Sequence, residues 1–227
     1  GKRKVVASLL TFCFFLQQSF CLQVLATNIS GVNGNNGVFD ITPTAKNPAG
    51  DIGFRKYQNF ELSEGDIANL IFHLQGQDLS KFVNLVDNTI NIQGIVNAVN
   101  KNGDFNNGHA VFISPNGMVV GASGVLNVGS LSVLTPDQES YDKYKSDLSR
   151  PSLIKDYESR LGQGNATVQI DGKVLARDLI DIKAANVNIS QNAAIMSGVK
   201  DATKLISNAQ AEALFNQLVK ADNTVSG

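Results

Sequence analysis

The sequence has few charged residues, only two cysteines and no tryptophan. Charged residues make up 17% of the 227 residues, against about a quarter in a typical globular protein. The formal net charge of −1 excludes the basic field that nucleic-acid binding requires, so no nucleic-acid partner is expected. Glycine is frequent, and asparagine, valine and isoleucine are abundant, which favours an all-β repeat protein over a cytosolic enzyme.

Both cysteines lie in residues 1–26, a segment with the features of a secretory signal peptide. Residues 2–4 are basic, and Val5–Leu16 is an apolar run of 12 residues, which is too short to span a bilayer. We expect cleavage between Ala26 and Thr27; the alternative is a buried N-terminal helix. After cleavage the chain has no cysteine, and therefore neither a disulfide nor a thiol nucleophile.

Motifs of enzymes and metal sites are lacking. His73 and His109 have no ligand partner at metal-binding spacing, so we interpret both as structural histidines. No nucleophile-elbow or phosphate-loop motif occurs. Residues 102–108, NGDFNNG, lack the sixth-position glycine of a calcium loop, and Ile113 stands where its bidentate glutamate is needed, so a plain turn is favoured. We expect no catalytic residue, no metal and no cofactor.

The most informative stretch is Gly108–Thr135, which is rich in glycine and β-branched residues. It predicts short strands at His109–Ile113, Met118–Val120, Val125–Val128 and Leu131–Leu134. Ser114-Pro115-Asn116-Gly117 predicts a turn, because proline pre-sets φ and Asn-Gly tolerates positive φ. Strands this short cannot bury an apolar face alone, so we expect them to stack on similar neighbours.

The segment from Val111, VFISPNGMVVGASGVLNVGSL, resembles the hallmark segment of two-partner secretion domains, the N-terminal modules of filamentous-haemagglutinin-type exoproteins of Gram-negative bacteria. The matching positions are Pro115, Asn116, Gly117, Met118, Gly121, Asn127, Val128 and Gly129. The chain departs at Ser114, where the family usually has asparagine, and at Ser130, where a second glycine is frequent. Around Tyr57–Phe72 it is most similar to the leukotoxin-like filamentous adhesins of anaerobes.

The resemblance implies an all-β fold, a right-handed parallel β-helix with an N-terminal cap, an excursion from the helix and a short C-terminal helix. Its implied boundaries are 27–200 for the β-helix, with the excursion at about 136–165, and 201–227 for a helical end.

The residues themselves add further expectations on local structure. Ile92, Ile113 and Val133 are 21 and 20 residues apart, a spacing that suits stacked three-sided coils. Asparagines at corners can form side-chain ladders along such a stack. Ile67–Leu74 predicts either a strand or a helical turn. Helices are predicted at Asp137–Leu148, Leu153–Leu161 and Ser207–Lys220.

The resemblance also implies a function: a secretion signal read by an outer-membrane barrel transporter with periplasmic recognition domains, followed by folding at the cell surface. The location would then be secreted or on the surface of a Gram-negative bacterium, and the whole adhesin or toxin, of which this chain is expected to be a fragment, would contact host cells. The residues expected to carry recognition, on an exposed strand and turn, are Val111, Phe112, Ile113, Ser114, Pro115, Asn116, Gly117, Met118, Asn127 and Gly129.

Three alternatives stay open. The turn could serve only to fix a corner of the fold. The domain could bind a host glycan or protein directly, which predicts an exposed aromatic patch at residues 54–60 or 141–157. A polysaccharide-processing enzyme would require clustered carboxylates on one face, and no convincing cluster is evident.

Overall fold

Short β-strands dominate the structure. The computed structural model describes residues 26–148 and 157–198, and these ranges contain three sheets of six strands each and one two-stranded hairpin. Most neighbouring strands within the three sheets are parallel. The expected all-β class, with parallel strand pairing, is therefore confirmed.

The three sheets are called A, B and C. Sheet A contains, in order across the sheet, β1 (Asn28–Ile29), β5 (Phe60–Leu62), β10 (Ile90–Ile92), β13 (Met118–Val120), β16 (Thr167–Ile170) and β19 (Asn186–Ile189). Sheet B contains β2 (Val38–Ile41), β6 (Ile67–Ile71), β11 (Ile95–Val99), β14 (Val125–Val128), β17 (Lys173–Ala176) and β20 (Ala194–Met196). Sheet C contains β3 (Ala45–Lys46), β4 (Ile52–Tyr57), β9 (Lys81–Val86), β12 (His109–Ile113), β15 (Ser130–Leu134) and β18 (Ile180–Lys183). The hairpin pairs β7 (His73–Leu74) with β8 (Gln77–Asp78).

Successive strands visit the sheets in a fixed order. Apart from the hairpin, the chain from β4 onward passes through sheet C, then A, then B, and repeats this order to β20. We call one such set of three strands a round. Because each strand pairs in parallel with the strand of the same sheet in the next round, the backbone hydrogen bonds run from round to round.

The main core lies between the three sheets. Alternate residues of each strand point inward, as the pleat of a strand requires. Phe112 of sheet C packs edge-on against Phe60 of sheet A, with ring centroids 5.6 Å apart. The inner cluster takes residues from all three sheets, among them Leu70, Phe82, Ile90, Val96, Met118, Leu126, Val133 and Val168.

The expected alignment of Ile92, Ile113 and Val133 is wrong. Ile92 lies in sheet A, where its partners Leu62 and Val120 are 30 and 28 residues away. Ile113 and Val133 share sheet C but belong to different clusters, Ile113 to an outer one and Val133 to the inner core. A step of 21 residues occurs from His109 in β12 to its partner Ser130 in β15. The other steps are longer because connections of different length interrupt the rounds.

Two of the uncertain segments are resolved. Ile67–Leu74 forms strand β6 and the start of the hairpin, so the strand interpretation holds. The predicted helix at Asp137–Leu148 is confirmed as α1 (Gln138–Asp147), with Asp137 as its N-cap, where the carboxylate accepts from the Ser140 backbone N–H at 2.9 Å. A short helix, α2 (Tyr157–Arg160), lies in the second predicted segment. Residues 1–25 and the predicted helix Ser207–Lys220 lie outside the described residues.

The polypeptide leaves sheet C after β15 and returns to the same place before β16. Pro136 and Gln163 form an isolated antiparallel bridge, and the Gly164 N–H donates to the Thr135 carbonyl at 3.0 Å. We call the described part of this excursion, residues 137–148 and 157–163, the cover. It packs on the outer face of sheet C.

The two ends of the stack differ. At the N-terminal end, β1 and β3 are two-residue strands that run antiparallel to their neighbours β5 and β4. At the other end, the last round presents large apolar side chains to solvent: Leu179 is 52% exposed, Val187 41% and Ile189 56%. The N-terminal end is therefore blunted, and the last described round carries an unpaired parallel edge above partly open core positions.

Candidate recognition site

The turn Ser114–Gly117 joins β12 to β13 and lies at a corner between sheets C and A. Gly117 has φ +81°, which a residue with a side chain rarely adopts. A Cβ at this position would also come within 2.2 Å of the Thr167 carbonyl oxygen in the next round. Glycine is thus required twice here, once for the backbone conformation and once for the close approach of β16.

Hydrogen bonds along the stack tie this corner to the corner of the preceding round. The Ser114 hydroxyl donates to the Asn88 carbonyl at 2.9 Å, and the Asn116 side-chain amide donates to the Asp87 carbonyl at 2.7 Å. The Thr89 hydroxyl donates back to the Asn116 carbonyl at 3.1 Å. The Asn88 amide continues to Asn59 one round earlier, at 2.7 Å. The expected ladder of corner asparagines is therefore present between these rounds, in addition to backbone pairing.

Most of the motif is buried. Val111, Phe112 and Ile113 have no exposed side-chain surface, and Ser114 is likewise buried. The expectation that the strand Val111–Ile113 is exposed is therefore wrong. Phe112 points into the inner core, whereas Val111 and Ile113 point outward and are covered by α1. An excursion with many charged residues gave no sign that it would lie on this strand.

Two motif residues of the turn reach the surface. Pro115 is half-buried and Asn116 is exposed, whereas Gly117 and Met118 are buried. The recognition role assigned to the motif stays a prediction, and the side chains through which a partner can touch the folded turn directly are those of Pro115 and Asn116.

Asn127, which the same motif contributes, is buried in a polar cluster on sheet B. Its side-chain amide donates to the Asn97 side-chain oxygen at 2.8 Å, and its own oxygen accepts from Arg177 Nη1 at 2.7 Å. The Arg177 guanidinium stacks on the Phe105 ring, with Cζ 3.6 Å from the centroid. Burial lowers the pKa of Arg177 to about 10, so the side chain is still a cation at neutral pH.

Gly129 allows the loop of residues 100–108 to approach the stack. A Cβ there would lie 2.3 Å from the Asn107 carbonyl carbon. Phe105, on the same loop, forms a bridge with Val99 and supplies the ring under Arg177. Asn127 and Gly129 thus hold this loop and Arg177 in place, and neither is brought together with the exposed corner at Asn116.

The two histidines occupy separate structural positions. His109 Nε2 lies 2.7 Å from the Ser132 hydroxyl, and burial together with the nearby Lys81 lowers the pKa of His109. His73 Nδ1 lies 2.9 Å from the Asp78 carboxylate in the hairpin. Residues 26–148 and 157–198 contain no cluster of three or more histidine, cysteine, aspartate or glutamate side chains that could hold a metal ion.

The aromatic residues expected for direct ligand binding lie inside the fold. Phe54, Tyr57 and Phe60 are buried, as are the tyrosines at 141, 144 and 157. The Tyr57 hydroxyl donates to the buried Asn84 side chain at 2.7 Å. In the described ranges, residues 54–60 and 141–157 therefore offer no exposed aromatic patch.

Thr27, the first residue after the predicted cleavage position, is anchored to the fold. Its hydroxyl donates to Asp66 Oδ2 at 2.5 Å and accepts from the Ser63 N–H at 2.9 Å. Ala26 before it is exposed. This arrangement is compatible with a mature chain that begins at Thr27, and the cleavage itself stays a prediction.

Sequence reasoning missed Asp87 and Arg177. Asp87 read as an ordinary residue of a polar turn, and Arg177 as one surface cation among several. Comparison of the sequence with protein-family models and with curated proteins finds no match. None of the helices in the described ranges is long and apolar enough to cross a membrane.

Proposed function

We propose that the chain is a right-handed parallel β-helix and serves as the secretion-signal domain of a two-partner secretion exoprotein. The fixed order of parallel strands through sheets C, A and B supports the β-helix. The single observation that carries the function is the placement of the motif turn. Pro115 and Asn116 project from a corner that hydrogen bonds tie to Asp87, Asn88 and Thr89, so the rigid stack presents them in one geometry.

In this proposal an outer-membrane barrel with periplasmic recognition domains reads the chain after export across the inner membrane. The chain travels unfolded, and residues 27–227 contain no cysteine that could form a disulfide before passage. Recognition in the folded state takes place at Pro115 and Asn116. The destination is the cell surface or the medium of a Gram-negative bacterium.

The unequal ends of the stack suit directional folding. The last described round presents β18, β19 and β20 with partly exposed core side chains, among them Val187 and Ile189. A following segment can pair with these edges without forming a new nucleus, since the template already exists. The blunted N-terminal end does not compete for such pairing.

The experiment expresses residues 1–227 in a Gram-negative host with and without the outer-membrane barrel encoded next to this protein. The proposal predicts the fragment in the medium only when the barrel is present. A folded fragment retained in the periplasm under both conditions would contradict it, and a direct ligand-binding module would then be the better hypothesis. Cleavage before Thr27, read by N-terminal sequencing of the exported product, tests the signal peptide in the same samples.

A further inference from the structure

The outer face of sheet C carries an apolar cluster that is separate from the inner core. Ile52, Phe54, Val83, Leu85, Val111, Ile113 and Leu134 contribute to it from four successive strands. The cover closes this face with Tyr141, Tyr144, Leu148 and Tyr157, all of them buried. Without the cover, this row of aliphatic side chains would lie in water, and a contiguous apolar patch of this kind is adhesive.

One carboxylate oxygen holds α1 against sheet C. Asp87 Oδ1 accepts from the Tyr141 hydroxyl at 2.8 Å and from Lys145 Nζ at 2.8 Å. Burial and the hydrogen bond to Asp87 raise the pKa of Tyr141, so its hydroxyl stays protonated and remains a donor at all physiological pH values. At the other side of the cover, Lys81 Nζ lies 3.2 Å from the Tyr157 hydroxyl.

The same residue holds the motif corner. The Asp87 carbonyl accepts from the Asn116 side chain at 2.7 Å, and the Asp87 N–H donates to the Tyr57 carbonyl at 2.9 Å. The backbone of Asp87 is thus fixed by the corner, while its side chain fixes the cover. A displacement of Asn116 therefore moves the acceptor on which α1 depends.

The cover is easier to detach than any round of the sheets. A helix of 10 residues is marginal in water, so α1 depends on its contacts with sheet C. Its neck is a short bridge at Pro136 and Gln163, so it can lift without unthreading the chain. β12, by contrast, is hydrogen-bonded on both edges, to β9 and to β15. Local opening is expected where such contacts are fewest.

We propose that the cover is a latched element that lifts off sheet C while the sheets stay paired. Lifting uncovers the apolar outer face of β9 and β12, including Val111 and Ile113 of the motif. Asp87 is the latch, and Asn116 sets its position, so a partner that engages the exposed corner weakens the latch. This inference concerns the isolated chain and does not depend on secretion, so a failed secretion assay leaves it standing.

Hydrogen–deuterium exchange of residues 27–227, read by mass spectrometry, tests the latch. Asp87→Asn weakens the charge-assisted bonds from Tyr141 and Lys145, and we expect exchange in residues 138–147 to rise at least about tenfold. Exchange in β11, which lies in sheet B, stays at the wild-type rate. The matched control Asp104→Asn alters an exposed aspartate of the 100–108 loop and leaves both regions unchanged.

Two outcomes would overturn the latch. The first is no change in residues 138–147, and the second is an equal rise in β11, which would mean that the whole domain opens together. If Asp87→Asn does not fold, Lys145→Gln provides the test, because it removes one donor and leaves the carboxylate and its backbone contacts in place. The expected rise in residues 138–147 is then about threefold.

Asn116→Ala tests the link to the corner. We expect it to raise exchange in residues 138–147 about threefold and to increase the fluorescence of a dye that binds apolar surface. Asn102→Ala, at an exposed asparagine of another loop, changes neither reading. Wild-type exchange of α1 in Asn116→Ala would show that corner and cover are independent.

Discussion

The inner core and the cluster under the cover are both apolar, but they are built from different side chains. The inner core consists mainly of aliphatic residues and phenylalanine from three sheets. Of the described residues in it, one is a tyrosine, Tyr57, and its hydroxyl donates to the buried Asn84. The outer cluster contains Tyr141, Tyr144 and Tyr157, and two of their hydroxyls meet charged partners, Asp87 and Lys81.

The difference follows from the position of water. Side chains between the three sheets face other side chains on every side, so a polar atom there must find a partner within the core. The cover borders on solvent, where tyrosine can bury its ring and keep its hydroxyl in a polar contact. The inner core therefore holds the fold together, and the outer cluster joins a separable piece to it.

The largest effect on stability is expected from Phe112→Ala in the inner core. It removes a ring that is completely buried and packs on Phe60, and we expect a loss of about 3–5 kcal/mol in the free energy of unfolding. Ile113→Val, one residue away but in the outer cluster, should cost about 0.5–1.5 kcal/mol. Urea denaturation followed by circular dichroism measures both. Equal costs would contradict the distinction between the two clusters.

The second effect concerns the corner. Gly117→Ala adds a methyl group where φ is +81° and the Thr167 carbonyl is too close, and we expect a loss on the order of 3 kcal/mol. Gly103→Ala is the matched control, since Gly103 has φ +84° but no atom within 4 Å of the added carbon. It should cost about 1 kcal/mol in the same denaturation experiment, from backbone strain alone. Similar costs would show that the contact with β16 is unimportant.

The third effect concerns the buried polar cluster on sheet B. Asn127→Ala removes the side-chain acceptor of Arg177 Nη1 from a buried site, and we expect a loss of about 2 kcal/mol. In the background Arg177→Met the same change should cost less, because no buried cation then loses its acceptor. A double-mutant cycle by urea denaturation measures the coupling. Additive losses would contradict the described contact.

The smallest effect is the pH dependence that His109 contributes on the outer face of sheet C. Burial and Lys81 lower the pKa of His109, against the smaller opposing effects of Glu158 and Asp181. The unfolded chain therefore binds the proton more readily than the folded one, and stability falls as the pH drops below about 6.5. Denaturation between pH 7 and pH 5 should show a smaller fall in His109→Gln than in the wild type. An identical fall would exclude a contribution from His109.

Local structure was predictable where alternation and turn residues agree. The strands between His109 and Leu134 and the turn at Ser114–Gly117 follow from β-branched residues separated by glycine, proline and asparagine. The N-cap at Asp137 likewise marked the start of α1. These features depend on neighbours in the sequence, and the local physical chemistry determines them.

Register and long-range contacts were not predictable. The rounds differ in length because the hairpin β7–β8, the loop of residues 100–108 and the cover interrupt them at different corners. No local signal shows that Asp87 receives Tyr141 from 54 positions later, or that Arg177 reaches Asn127 across 50 positions. The burial of Val111 and Ile113 under α1 has the same origin.

Secretion of corner variants tests the central claim most directly, namely that the buried part of the motif builds the fold and the exposed corner is the signal. Pro115→Ala/Asn116→Ala, Asn102→Ala and the wild type, each as residues 1–227, are expressed with the barrel partner after circular dichroism has confirmed their folding. The account predicts that the double variant stays in the periplasm, whereas Asn102→Ala reaches the medium like the wild type. Secretion of the folded double variant at the wild-type level would contradict the account.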